Sequence, residues 1–289
     1  MALYELDSVY SLIRVRGANR IDFLHRMSTG NLLGIQPGQG RATVFTTPIG
    51  RMVDFAIVLA FADSLLLISG GYGKSILSRW LRKYIFFNDD VQLEDETGTA
   101  LIFGWWGAEA RDTLLLRYPE VANLKLYAHV TREIGVVVNA PPLDGPGYYL
   151  ISPSADWVQT YVVESRAAFD DLRIKAGLAL FPNEINEDYI PLEAGLLDAV
   201  SFSKGCYIGQ EIIARLESRG QLAKRLVRLE ANRPIEAGAA LTNDGVSVGK
   251  VTSVTSDGLI ALGYVRNASA TPGQALFCAE TSVKVSAAA

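Results

Sequence analysis

The chain has 289 residues, 49% of them hydrophobic and 20% charged, with a formal net charge of −4. This composition supports a buried core, excludes wholesale disorder and leaves room for two or three domains. The weak negative charge argues against direct nucleic-acid binding by the molecule as a whole, so any basic surface must be local.

The N-terminus lacks a cationic segment followed by an apolar run and does not read as a secretory signal. Residues 10–16 read as a strand ending at Gly17, and 18–27 carry helical spacing with Ile21, Leu24 and His25 on one face. Residues 41–47 read as a strand and Pro48-Ile49-Gly50 as a turn, followed by strands over 53–60 and 64–69. The longest apolar run, residues 55–62, is far short of the roughly 20 residues of a membrane span. Next, Gly70-Gly71-Tyr72-Gly73-Lys74-Ser75 invites a phosphate-loop reading, but that motif puts its first glycine where Ile68 stands. The run reads instead as a glycine-rich turn into an amphipathic helix over 76–84 bearing Leu77, Trp80 and Leu81. Residues 91–94 are short and extended.

The order then recurs. Residues 99–106 read as a strand ending at Gly107, with a helix from Ala108. Gly17-Ala18 precedes Asp22 at the spacing by which Gly107-Ala108 precedes Asp112, and Leu67-Ile68-Ser69 is echoed by Leu150-Ile151-Ser152 before a helix expected over 156–169. A strand–helix–strands–helix–strand unit used twice gives antiparallel sheets with helices on one face. From Gln221 onward short alternating runs are separated by Asn243-Asp244-Gly245 and Ser256-Asp257-Gly258, which are hairpin signals. The last three alanines read as a frayed end. The expected fold is therefore α+β. Two repeated sheet/helix units span 1–97 and 98–220, and a small antiparallel β-barrel spans 221–289.

Two residues stand out chemically. Asp54 lies in an apolar strand, where alternation sets it towards water with Val53 and Phe55 in the core; otherwise such a carboxylate is paired or used. Cys206 lies in Lys204-Gly205-Cys206-Tyr207-Ile208-Gly209-Gln210-Glu211, just before a helix carrying Ile212 to Leu216. It reads either as a small buried hydrophobe or as a reactive thiol whose thiolate is favoured by Lys204 and the helix start. Lys204 and the two glycines suit a loop and favour the second reading. From Lys204 to Arg228 six cations face only Glu211 and Glu217, a local net of +4 that would attract a polyanion. The other cysteine is Cys278, and the histidines are His25 and His129. The spacing gives neither a disulfide framework nor a zinc site, and a reducing cytoplasm is the expected compartment.

The run from Ile190 to Glu211 with Ala214-Arg215 resembles the YgfZ family of folate-binding proteins, relatives of the glycine-cleavage T-protein, an aminomethyltransferase. The resemblance extends to Gly38–Arg41, Gly50–Asp54, Val248–Ser253 and Ala261–Arg266. It implies a three-domain ring around a channel that binds tetrahydrofolate, and a role in assembling or maintaining iron–sulfur enzymes, including tRNA-modifying ones. Iron–sulfur client or assembly proteins are the implied partners, with no membrane and no resident metal. The implied chemical residues are Cys206, Lys204 and Asp54. The implied folate contacts are Asp54, Lys175, Tyr207, Gln210, Glu211 and Arg215. One departure concerns Lys175 in Arg173-Ile174-Lys175-Ala176-Gly177. T-proteins have a glutamate there that accepts from the pterin, whereas lysine only donates. The alternative function is folate-dependent aminomethyl transfer with Asp54 assisting; the plainest is a scaffold without a working folate site.

Overall fold

In the computed structural model of the chain, residues 2–71, 76–220 and 222–288 are described. Tyr72, Gly73, Lys74 and Ser75 of the glycine-rich run lie outside them. The chain gathers into two compact units, which cross the boundaries expected at 97/98 and 220/221. The first comprises Met1–Thr47, Val53–Arg166 and Asp198–Ile208, the second Pro48–Met52, Ala167–Leu197 and Gly209–Ala289.

The first unit opens with β1 (Ala2–Glu5), β2 (Tyr10–Arg16) and α1 (Arg20–Met27), then β3 (Gly40–Thr46), β4 (Met52–Ala60), β5 (Leu65–Gly70), α2 (Ile76–Arg82) and β6 (Gln92–Asp95). It continues with β7 (Leu101–Trp106), α3 (Ala108–Arg117), β8 (His129–Arg132), β9 (Gly135–Ala140), β10 (Gly147–Ser152) and β11 (Val162–Glu164). One sheet has the order β3-β4-β5-β2-β6, the other β11-β1-β7-β10-β9-β8. Read from its last strand, the second sheet repeats the first: β8-β9-β10-β7 mirrors β3-β4-β5-β2. The shared Gly-Ala has a conformational cause. Gly17 and Gly107 turn the chain from strand to helix at φ of 99° and 107°, where a side chain is strained. The slot beside β7 is filled by β1, which pairs antiparallel with β7 and parallel with β11.

Residues 156–169 depart from the single helix expected there. They form a 3₁₀ turn at Asp156–Thr160, then β11, then the start of α4 (Arg166–Ala176). Val162 and Val163 pair with Ala2 and Leu3, and that β-branched pairing overrides the helical spacing.

Each sheet of the first unit carries helices over an apolar face. Ile13, Phe23, Leu24, Phe45, Val58 and Leu67 form one core, and Leu3, Phe103, Trp105, Leu114, Val137 and Leu150 the other. The sheets also touch each other: the Tyr10 and Tyr149 hydroxyls lie 3.4 Å apart, and His129 Nε2 lies 3.0 Å from the Ala60 carbonyl oxygen. Covered from both sides, β4 and β5 are buried almost throughout.

In the second unit α4 is followed by α5 (Gln210–Arg219) and the strands β12 (Lys224–Ala231), β13 (Ala240–Asn243), β14 (Val246–Val254), β15 (Ile260–Arg266), β16 (Ala275–Cys278) and β17 (Thr281–Ala288). These six strands close as the barrel β12-β15-β14-β13-β16-β17 around Val227, Leu229, Leu241, Val251, Val265 and Val283. Of the three alanines expected to fray, Ala287 and Ala288 are instead part of β17, and Ala289 lies outside the described residues. Ala287 and Ala288 pair with Arg228 and Val227, and this pairing helps close the barrel. Arg173 of α4 is buried against the barrel. Its Nη1 donates to Glu184 Oε2 at 2.9 Å and its Nη2 to Ser253 Oγ at 2.8 Å, while Ser253 Oγ donates to Glu184 Oε1 at 2.6 Å. Each buried charge is thus matched by a partner and by further hydrogen bonds.

Candidate functional site

Residues 198–208 return to the first unit and are pinned there at several points. The Ser201 N–H donates to the Thr29 carbonyl at 2.9 Å. Lys204 is buried, and its ammonium donates to the carbonyl oxygens of His25, Ser28 and Gly30 at 2.5, 2.6 and 2.7 Å. These carbonyls sit at and just beyond the C-terminal end of α1, where a cation is favoured. The ammonium also lies 5.0 Å from the centre of the Tyr207 ring. Tyr207 is itself buried, which pushes its phenol up to about 12. Ile208 packs on the core of the five-stranded sheet, and its carbonyl accepts from Thr46 Oγ1 at 2.6 Å.

Between these anchors Gly205 and Cys206 stand exposed. A Cβ at Gly205 would meet nothing within 4 Å. The thiol is therefore presented on a short exposed stretch with fixed ends. Lys204 departs from its expected role. All three of its donors point to carbonyls, so its ammonium holds the segment in place, where the sequence had offered it as the thiolate's partner. Burial pushes this ammonium down to about 8, and the three carbonyls hold its proton on. The same burial, with Lys204 adding to it, lowers His25, whose Nδ1 accepts from the Leu32 N–H at 3.2 Å.

Asp54 is 1% exposed, which corrects the reading that set it towards water. Its Oδ1 accepts from the Phe55 N–H at 2.8 Å and the Gly70 N–H at 3.3 Å. Burial pushes the carboxyl up to about 7, outweighing those two hydrogen bonds. By register Asp54 falls on the face of Ala56, which pairs with Ser69, which in turn pairs with Ser11. Ser11 Oγ donates to the Gly71 carbonyl at 2.8 Å, whereas the buried Ser69 Oγ has no partner among the described residues. A buried acid raised to about 7 thus shares a sheet face with a buried hydroxyl that has no partner among the described residues. Ser69 could have been singled out in the sequence as the polar end of Leu65-Leu66-Leu67-Ile68-Ser69.

The remaining expected contacts lie in the second unit. Gln210, Glu211 and Arg215 are on α5, which starts after Gly209 at φ 84° and carries Glu211 in its first turn. Lys175 is exposed, and its carbonyl accepts from Arg228 Nη1 at 2.8 Å. Asp54 offers an acceptor carboxyl in the first unit, whereas the Lys175 side chain in the second can only donate.

Residues 2–136 match the family model of the GCVT N-terminal domain, and residues 224–289 that of the CAF17 C-terminal β-barrel domain. A chloroplast protein of Arabidopsis thaliana, named as a transferase, is 32% identical over 94% of this chain and 67% of its own length. The tRNA-modifying protein YgfZ of Blochmanniella pennsylvanica is 26% identical over 76% of this chain and 69% of its own. The aminomethyltransferase of Halothermothrix orenii is 26% identical over 91% and 80%. In fold, the chain matches the crystal structure of glycine cleavage system aminomethyltransferase T from Bartonella henselae. The TM-score is 0.85 at 22% identity, over 99% of this chain and 85% of that one.

Proposed function

This chain belongs to the family that joins a GCVT N-terminal domain to a CAF17/YgfZ-type C-terminal barrel, and on that premise we propose that it is a tetrahydrofolate-binding accessory protein that serves iron–sulfur enzymes through Cys206. The observation that carries the proposal is the exposed Gly205-Cys206 stretch fixed between buried Lys204 and Tyr207. A thiol so presented reaches a partner protein without unfolding. Thiolates suit iron, but a stable cluster takes four ligands, so Cys206 acts as a transient ligand completed by a partner or by glutathione. The name of the YgfZ relative supports clients that modify tRNA.

On the folate side, Asp54 and Ser69 offer the polar groups a pterin needs. Bound tetrahydrofolate would supply a ring nitrogen able to carry a one-carbon unit. Calorimetric titration with tetrahydrofolate, together with complementation by Cys206→Ser, tests the reading. The serine variant is expected to bind folate normally and fail in cells. A fully active serine variant removes the thiol from the mechanism, and absence of any folate heat favours a scaffold.

A second reading, folate-dependent aminomethyl transfer, is favoured by one observation: a buried carboxyl near 7 is poised to exchange a proton at neutral pH. It predicts turnover of an aminomethyl donor that Asp54→Asn slows and Cys206→Ser leaves unchanged.

A further inference from the structure

The second unit holds a cleft of about 350 Å³ whose walls include Asp188, Tyr189, Lys224, Lys250, Tyr264 and Arg266. Its charges are set by strand register. Lys224 on β12 stands directly opposite Arg266 on β15, and Lys250 on β14 stands opposite Tyr264, two residues before Arg266. Like charges directly opposed across strands destabilise a sheet. All three cations are exposed, and none makes a direct ion pair among the described residues. Asp188 is the one acid of the walls, which leaves the cleft two positive charges in excess. Glu193 and Arg51, 3.9 Å apart and outside the walls, cancel each other. The barrel thus keeps a repulsive arrangement that a bound anion would relieve.

Two stacked tyrosines line the floor. The Tyr189 and Tyr264 rings stack with centroids 3.4 Å apart and planes at 11°, and the Tyr264 hydroxyl donates to the Glu184 carbonyl at 2.8 Å. The Lys224 ammonium lies 5.4 Å from the centre of the Tyr189 ring. With one ring against the other and a lysine beside Tyr189, the floor has no clear aromatic face for a base to stack on. The recognised element is therefore the anion itself. A phosphate carries roughly two negative charges near neutrality, matching the excess, and an arginine fork takes two of its oxygens.

We propose that this cleft binds the phosphate group of a phosphorylated ligand, held by Lys224, Lys250 and Arg266. The test is calorimetric titration of the full chain with pyrophosphate in phosphate-free, low-salt buffer, beside fluorescence anisotropy with a labelled 12-nucleotide RNA. Pyrophosphate is expected to bind, and Arg266→Ala and Lys250→Ala are each expected to weaken it roughly tenfold. Arg266→Lys is expected to restore part of the loss, and Arg233→Ala, an exposed cation outside the cleft walls, to leave affinity unchanged. Thermal melts check that the variants keep the fold. Pyrophosphate binding without RNA binding assigns the site to a small phosphorylated molecule; RNA binding that pyrophosphate displaces and Arg266→Ala weakens assigns it to a nucleic-acid backbone. Failure of both probes to bind at millimolar concentration overturns the proposal, as does binding that both alanine variants leave untouched.

Discussion

The ammonium of Lys204 lies 2.6 Å from the carbonyl oxygen of Ser28, a bond across 176 positions of sequence that joins the cysteine segment to the end of α1. With the His25 and Gly30 carbonyls it uses every donor the lysine has. Lys204→Met would leave three carbonyls without their cation, at a cost of roughly 2–4 kcal/mol. The expected result is a lower urea midpoint and faster amide exchange over residues 198–208. An unchanged midpoint with unchanged exchange would show that the lysine is not a strut.

Asp54 makes stability depend on pH with a definite sign. Its carboxyl moves from an unfolded value of 3.8 to about 7 in the fold, so the folded state favours the protonated acid. The stability this contributes is fully present below about pH 4 and is lost as pH rises to 7 and beyond, in total roughly 4 kcal/mol. Asp54→Asn removes the titration. Urea midpoints of the two proteins are therefore expected to diverge between pH 4 and 8, with the variant more stable at the alkaline end. Parallel curves across that range would mean that Asp54 is solvated.

Much of the fold was legible because its signals are local. The Asp-Gly turns at 244–245 and 257–258 marked the barrel hairpins, and the glycines at 17 and 107 marked both strand-to-helix turns. What escaped depends on pairing between distant segments. Ala2–Glu5 is too short to read as a strand until β7 and β11 flank it, and Ala287 and Ala288 are strand only because β12 lies beside them. The same holds for the sites. Cys206 and Asp54 could be picked out by residue type. The burial of Asp54 needs both layers over β4, the anchoring of Lys204 needs the end of α1, and the opposition of Lys224 to Arg266 needs the barrel register.

The Arg173–Glu184 pair is a case where breaking and replacing differ. Both side chains are buried, and Glu184 also accepts from the Leu180 N–H at 3.1 Å. Glu184→Ala removes the fully buried partner of the guanidinium, leaving it Asp170 on Nε at 2.9 Å and Ser253 on Nη2, and is expected to cost roughly 3 kcal/mol. The double variant Arg173→Met with Glu184→Leu is expected to recover a large part of that loss, since two desolvated charges go together. Urea unfolding of the two variants and the parent measures both. A double variant no more stable than Glu184→Ala would mean that the pair is needed for the local packing itself.

The two cysteines allow the accessibility of the thiol site to be read directly. Cys206 is exposed, whereas Cys278 is 6% exposed at the end of β16 and burial, with Glu236 adding to it, raises its thiol. Reagent should therefore discriminate between them in the folded protein. Brief iodoacetamide treatment of the native chain is expected to add one label, mapped by mass spectrometry to Cys206, and treatment in urea to add two. Cys206→Ser is expected to take no label when native and to unfold at the parent's midpoint, because neither Gly205 nor the side chain at 206 fills space in the core. A native protein that resists labelling at Cys206 until it unfolds would show that the segment between Lys204 and Tyr207 is closed, and the thiol could then meet no partner.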